Sequence, residues 1–393
     1  MSARSVETRT ATLAEAAPHR LRQRTWLPGI LVGAAAVVAA LVLVFRAHWT
    51  MTDLGVYRRG GGQLLHGSSL YVDTPALPYT YPPFSAVLFV PLYLAGAAAA
   101  AVMTAGSVAA YGWIVWSVGR RLSLSSKVIA CLGLLGLATE PIWHTLTLGQ
   151  VNLLLALLVV FDVFVLPPRY RGWLIGIAAG IKLVPAVFVF YYLLKRDWRA
   201  VRQSAFGGLA SILIGFAATP SDSMKYWTKL FFSTDHVRGV AYVGNQSLNG
   251  DLVRLLKNEH PPTALYAGLA VLALLLGVAA ARQQLQRDDD VAALVCIAVA
   301  GLLVSPISWT HHWVWLVPAS MVLVARGLWW SAAGIGVITL VAPMWFTPAT
   351  QLREFHQVWW QAALCLSYAF AGLWFLFRLT ATTQADRMPS SET

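Results

Sequence analysis

The stretch Leu27-Pro28-Gly29-Ile30-Leu31-Val32-Gly33-Ala34-Ala35-Ala36-Val37-Val38-Ala39-Ala40-Leu41-Val42-Leu43-Val44-Phe45 decides the fold class. It is an uncharged run long enough to carry a helix across a bilayer core, which takes about 20 residues. The Ala-rich positions lie inside the run with no polar region behind them, so it reads as a retained span instead of a cleaved signal. Met51-Thr52-Asp53-Leu54-Gly55-Val56-Tyr57-Arg58-Arg59 follows directly. A carboxylate at a membrane exit costs free energy unless it is wet, paired or functional. Asp53 is therefore the first candidate for chemistry at the membrane surface.

The rest of the chain keeps this character. Of 393 residues, 58% are hydrophobic and 12% charged, where a soluble domain carries roughly 25% charged residues. No alternating segments of β-barrel type occur. The expected architecture is an all-α polytopic membrane protein. A single transmembrane catalytic domain covers residues 27–379, between cytoplasmic tails of residues 1–26 and 380–393 that read as disordered. The net charge of +12 lies mostly in short loops and tails, as the positive-inside rule describes. No nucleic-acid partner is expected. Cys131, Cys296 and Cys365 fall in apolar stretches without metal spacing, and read as small core residues.

The basic clusters set a topology. Arg20, Arg22 and Arg24 hold the N-terminus in the cytoplasm, and the first span delivers Asp53 outside. Later cytoplasmic turns carry Arg120, Arg121 and Lys127, then Arg169 and Arg171, Arg282 and Arg287, Arg326 and Arg378. Gly172 to Leu194 is flanked by basic residues at both ends and interrupted by Lys182 and Pro185. It is read as two short helices that rise and return, with Lys182 near the bend. Counting that pair as two gives about 12 helices. Outer loops then cover about 47–97, 140–150, 220–262, 305–313 and 347–357, and Glu140 to Gln150 reads as an outer turn. Varied polar residues converge on this one face, as at an active site.

Each candidate has a bland reading beside the sharp one. Asp53 is a general base for a hydroxyl nucleophile, or the cap of a juxtamembrane helix. His311 and His312 orient the carboxylate or meet a phosphate, or belong to an aromatic belt with Trp309, Trp313 and Trp315. Adjacent helical histidines face different ways, so they are not expected to share a metal. Lys182 meets an anion, or snorkels to headgroups. Gln150, Asn152, Asn245 and Gln246 offer amides for sugar hydroxyls, in segments where turns also favour Asn and Gly. Arg58, Arg59 and Arg254 are outer-face cations for phosphate, or solvated loop arginines. Glu140 reads first as a helix end before Pro141. No P-loop, metalloprotease motif or CxxC pair is present.

Taken together, Asp53 with Tyr57, Tyr81-Pro82-Pro83, Gly149-Gln150-Val151-Asn152, Lys182 with Pro185, Asn245-Gln246-Ser247, and Ser305-Pro306 with Ser308-Trp309 and His311-His312-Trp313 resemble a known family. The chain is similar to the polyprenol-phosphate-mannose-dependent α-1,2-mannosyltransferases of actinobacteria, of GT-C fold. It most resembles the branch that elongates phosphatidylinositol mannosides. The resemblance implies a plasma-membrane enzyme working at the periplasmic face. Its donor would be polyprenyl-phosphate mannose, and its acceptor a mannose 2-hydroxyl of a phosphatidylinositol mannoside, with inversion at the anomeric centre. It implies Asp53 as base, with His311 or His312 beside it. Tyr57, Arg58, Tyr81, Glu140, His144, Gln150, Asn152, Lys182, Asn245, Gln246, Arg254 and Trp309 would bind substrate. Many GT-C enzymes use a metal; with no second carboxylate beside Asp53 except Glu140, none is expected to be required. The alternatives are a lipomannan-branching mannosyltransferase, and a lipid or sugar transporter or flippase.

Overall fold

The computed structural model describes residues 32–37 and 49–385, apart from 73, 75, 76, 233–236 and 238. Residues 32–37 are helical. The remainder of the first span, the N-terminal tail and residues 386–393 lie outside the described residues.

The described secondary structure is helical, with an isolated antiparallel bridge between Asn245 and Trp309. In chain order the helices are α1 (Thr52–Leu65), α2 (Pro83–Leu94), α3 (Ala98–Arg121), α4 (Ser126–Ala138), α5 (Glu140–Leu148), α6 (Asn152–Phe164), α7 (Trp173–Ile181) and α8 (Val189–Leu194). There follow α9 (Trp198–Ala218), α10 (Pro220–Thr228), α11 (Leu248–Leu256), α12 (Thr263–Leu285), α13 (Asp290–Val304), α14 (Leu316–Ala325), α15 (Trp329–Val341), α16 (Trp359–Cys365) and α17 (Ser367–Ala385). Short 3₁₀ turns at Val184–Phe188 and Thr310–Trp315 lead into α8 and α14.

Length and composition of the described helices do not show the expected count of about 12 crossings. Among the described residues, α3, α9 and α12 are long and apolar enough to cross a membrane alone. Counting the bent pairs α4–α5 and α16–α17 raises the number to 5. Several apolar stretches are too short: the 13 residues of α6 rise about 20 Å, against about 30 Å of bilayer core. Helix α13 shows that an apolar run need not face lipid. Every residue from Val291 to Leu303 on it is buried, so its apolar surface meets protein on all sides. An apolar run marks a helix that avoids water, and both lipid and protein satisfy it.

Three local readings are also corrected. Glu140 to Leu148 is a helix with Pro141 in its first turn, set at 60° to α4. The loop expected over 220–262 contains α10 and α11. Helix α17 continues to Ala385, into the stretch read as a disordered tail. The break within Gly172–Leu194 is where the sequence places it: α7 ends at Ile181, and Lys182 is extended, with φ −149° and ψ 131°.

Helices α1 and α2 form a tight hairpin that carries Asp53. Tyr57 of α1 stacks on Phe89 of α2 with ring centroids 4.4 Å apart. The helices touch through Gly61, where a β-carbon would lie 2.5 Å from the Phe89 carbonyl oxygen. Gly61→Ala is therefore expected to force α1 off α2 and destabilise the protein by about 1–3 kcal/mol. Thermal unfolding in detergent reads this directly; an unchanged midpoint would show that the hairpin yields freely.

Candidate active site

Three chain segments frame the site, and the break after α7 adds a fourth. The first is the start of α1. Met51 donates its N–H to the Thr147 carbonyl at 2.9 Å, tying α1 to the end of α5. Asp53 lies in the first turn of α1, where no side chain caps the helix, so the capping role considered for it is not realised. A carboxylate there faces the positive end of the helix dipole.

The second segment is the turn between α5 and α6. Gly149 adopts φ +68°, and a β-carbon on it would sit 2.7 Å from Leu54 Cβ. Only glycine combines that conformation with this approach at low cost. The turn presents Gln150, whose Oε1 accepts the Tyr57 hydroxyl at 2.6 Å and whose Nε2 donates to Tyr81 at 3.4 Å. Asn152 opens α6 and donates to the His311 carbonyl at 2.7 Å. Thr145 donates its hydroxyl to the same carbonyl at 2.9 Å.

The third segment is the turn carrying the histidines. Its entry is paired with the loop before α11: Gln246 N–H bonds the Ser308 carbonyl, and Thr310 N–H bonds the Gly244 carbonyl, each at 2.8 Å. His311 and His312 both line one cavity, with ring centroids 4.8 Å apart. The turn that carries them is 3₁₀, with Trp313 outside helical geometry, and the two rings stand at 81° to one another. Burial pushes both imidazoles well below the usual histidine range, and Lys182 adds to this for each. Lys182 stands at the break after α7, and its Nζ lies 3.0 Å from Asn152 Oδ1 and 2.9 Å from His312 Nε2.

These groups share a cavity of about 600 Å³ with Tyr81, His144, Trp309 and Trp345. Burial raises the Asp53 carboxyl above its ordinary value, opposed by the Gln150 hydrogen bond and by Lys182 and His144. Among the described residues no three His, Cys, Asp or Glu side chains converge as metal ligands. Lys182 contributes an ammonium to the wall. A half-buried carboxylate, an ammonium and several imidazoles on one pocket suit proton removal from a hydroxyl near an anionic leaving group.

Residues 79–306 match glycosyltransferase family 87. The chain belongs to that family. It is similar to a polyprenol-phosphate-mannose-dependent alpha-(1-2)-phosphatidylinositol mannoside mannosyltransferase of Mycolicibacterium smegmatis, with 35% identity over 71% of this chain and 72% of the relative. The Mycobacterium tuberculosis H37Rv protein of the same description is 32% identical over 73% of each chain. A pentamannoside mannosyltransferase of M. tuberculosis CDC 1551 is 32% identical over 87% of this chain and 84% of the relative. No solved structure matches. This family 87 glycosyltransferase is thus a membrane-integral enzyme, and family membership sets the transporter alternative aside.

Within the glycosyltransferase, the predicted residues divide into cavity wall and frame. Asp53, Tyr81, His144, Gln150, Lys182, Trp309, His311 and His312 reach the wall. Tyr57 is fully buried behind Gln150, and Asn152 anchors the histidine turn. Asn245 and Gln246 are not placed to read a sugar, since both are fully buried. Asn245 Oδ1 accepts the Ser308 N–H at 3.0 Å, and Gln246 Oε1 accepts the Tyr368 N–H at 3.1 Å. Arg58 is absent from the wall, and Arg59 donates to the Leu77 carbonyl. Glu140 is also behind the wall, fully buried.

Arg254 is the clearest correction. It is buried, paired with Asp251, and donates to the Tyr242 carbonyl at 3.0 Å. Burial also lifts the Asp251 carboxyl to about 7, despite Arg254. Arg254→Met is expected to cost about 3–5 kcal/mol by stranding Asp251. Calorimetry of the detergent-solubilised protein checks this; a stable variant with weakened donor binding would restore the phosphate role. The sequence reading missed Trp345, Tyr368 and Thr310, which hold Glu140 and His144. An aromatic residue in an apolar helix gives no local sign of such a bond.

Proposed function

We propose that this chain transfers mannose from polyprenyl-phosphate mannose to the 2-hydroxyl of a mannose on a phosphatidylinositol mannoside, at the periplasmic face, forming an α-1,2 linkage. The observation that carries the reading is the convergence of Asp53 and Lys182 on one cavity with His144, His311 and His312. The relatives' descriptions name the donor and acceptor classes.

Transfer converts a phosphodiester of charge −1 into a phosphomonoester that gains a second negative charge, and releases one proton. Asp53 takes that proton from the acceptor hydroxyl as the oxygen attacks the anomeric carbon. The carbon–oxygen bond to phosphate breaks on the opposite side, and the phosphate keeps its electrons. Lys182 offsets the growing charge. One displacement inverts a β-linked donor to an α product, so one base suffices. No metal has a step in this scheme, and transfer is expected to persist in a chelator.

The helix ends support the proposed facing. Helix α4 runs from the basic segment holding Arg120, Arg121 and Lys127 to Glu140, and α6 runs from Asn152 back toward Arg169 and Arg171. By the positive-inside rule the basic ends are cytoplasmic and the cavity faces out. Impermeant maleimide labelling of Ser68→Cys in intact cells tests this.

The activity test supplies purified protein with polyprenyl-phosphate mannose and phosphatidylinositol mannosides of increasing length. A product cleaved by an α-1,2-mannosidase is expected. Transfer to none of the acceptors would sink the reading.

A further inference from the structure

His144 differs from the other cavity histidines in its partners. Its Nδ1 lies 2.7 Å from Glu140 Oε1 and 3.1 Å from Thr310 Oγ1. Neither ring nitrogen of His311, nor Nδ1 of His312, has a hydrogen-bond partner. Glu140 is itself held by two further donors. Trp345 Nε1 donates to its Oε1 at 3.2 Å, and the Tyr368 hydroxyl donates to its Oε2 at 2.9 Å. With Nδ1 turned inward, Nε2 is the ring nitrogen left for the cavity that His144 lines.

The chemistry of position 140 is the telling point. A glutamine could satisfy the same three partners. Its Oε1 would accept from His144 and Trp345, and its Nε2 would donate to the Tyr368 oxygen. It would do so without burying a charge. Orientation alone therefore does not require a carboxylate here, and burying one is costly unless its charge is used. The group placed to use it is the imidazole of His144.

We propose that the Glu140–His144 dyad is an anion-binding device: Glu140 holds His144 as an imidazolium whose Nε2–H donates to the phosphate of the lipid-linked substrate. This deepens the function proposed above and rests on its donor. Asp53, Lys182, His311 and His312 share the cavity with the ring; Asp53 and Glu140 favour its positive charge, and Lys182 opposes it. Glu140 is a positioning residue; His144 touches substrate. During transfer the imidazolium stands beside an oxygen set that goes from one negative charge to two, with no covalent bond of its own made or broken.

The test is binding of farnesyl phosphate to the full-length protein in detergent, from about pH 5.5 to 8.5, across the histidine range. Farnesol serves as the uncharged control. Wild type is expected to lose affinity for the phosphate, and not for farnesol, as pH rises. Glu140→Gln should move that loss to lower pH and weaken binding about tenfold near neutrality. His144→Gln should be as weak, and the double variant no weaker. The ligand's own titration is common to all variants, so the differences between them report the dyad. Unaltered phosphate affinity and pH dependence in Glu140→Gln would overturn the proposal. Should that variant not fold, His144→Gln decides alone: wild-type affinity and slope in it would overturn the proposal equally. Mannosyl transfer by wild type, measured in parallel, separates the two readings. Its absence with dyad-dependent phosphate binding intact would sink the donor assignment and leave the dyad standing.

Discussion

Asp53→Asn is expected to lower transfer by about 10³-fold, within the range that general-base catalysis supplies, while the protein remains folded. The substitution keeps the shape and the hydrogen bond to Gln150, and removes the basic oxygen. Burial is the main cause that lifts the Asp53 carboxyl, so the group ionises at higher pH than the ordinary value near 4. The base works only when ionised. Wild-type transfer should therefore fall as pH drops through a point above the usual carboxylate range. Initial rates across pH, with thermal unfolding as a control for fold, measure both effects. A variant that keeps wild-type kcat would move the base elsewhere.

Lys182→Met carries the second largest expected loss, about 10²–10³-fold, as for removal of one preorganised charge donor. Two consequences accompany it. His312 Nε2 and Asn152 Oδ1 lose their shared partner, at about 1–3 kcal/mol for an unsatisfied buried group, so the midpoint of unfolding should drop modestly. Asp53 also loses a neighbour that lowers its pKa, so the acidic limb of the rate profile should move to higher pH. The combination is diagnostic. A loss of rate without that shift would place Lys182 on the phosphate alone, and a shift without loss of rate would make it a tuner of Asp53. Lys182→Arg is not a conservative control, because a planar fork does not fit a site built for a point charge.

The sequence made some of this legible and hid the rest for identifiable reasons. A lysine amid apolar residues before Pro185 announced a helix break, because burying an ammonium in a straight apolar helix is costly. Asp53 stood out in the same way. The tally of crossings was not legible, because hydropathy does not distinguish lipid from protein and α13 is sheathed in protein. Asn245, Gln246 and Arg254 misled for a related reason. Amides and guanidinium groups that could bind sugar or phosphate serve equally well to tie loops together, and periodicity does not separate the two. The Glu140 environment was invisible, since Trp345 and Tyr368 lie 205 and 228 positions along the chain.

The cavity's composition bears on an outcome that any enzyme releasing an activated sugar must manage. Val56, Leu77, Leu148, Leu183, Phe231 and Ile307 share the wall with the polar groups. Such a lining favours the hydrocarbon of a lipid glycoside over bulk solvent. Water is the smallest competing nucleophile, and a base that activates an alcohol would also activate it. An oily surround keeps that competitor scarce while the acceptor brings its own hydroxyl in on a tail. On the function proposed above, the balance between making a glycosidic bond and wasting the donor by hydrolysis would be set by the wall as well as by Asp53. Polar replacements there should show first as free mannose in the reaction mixture.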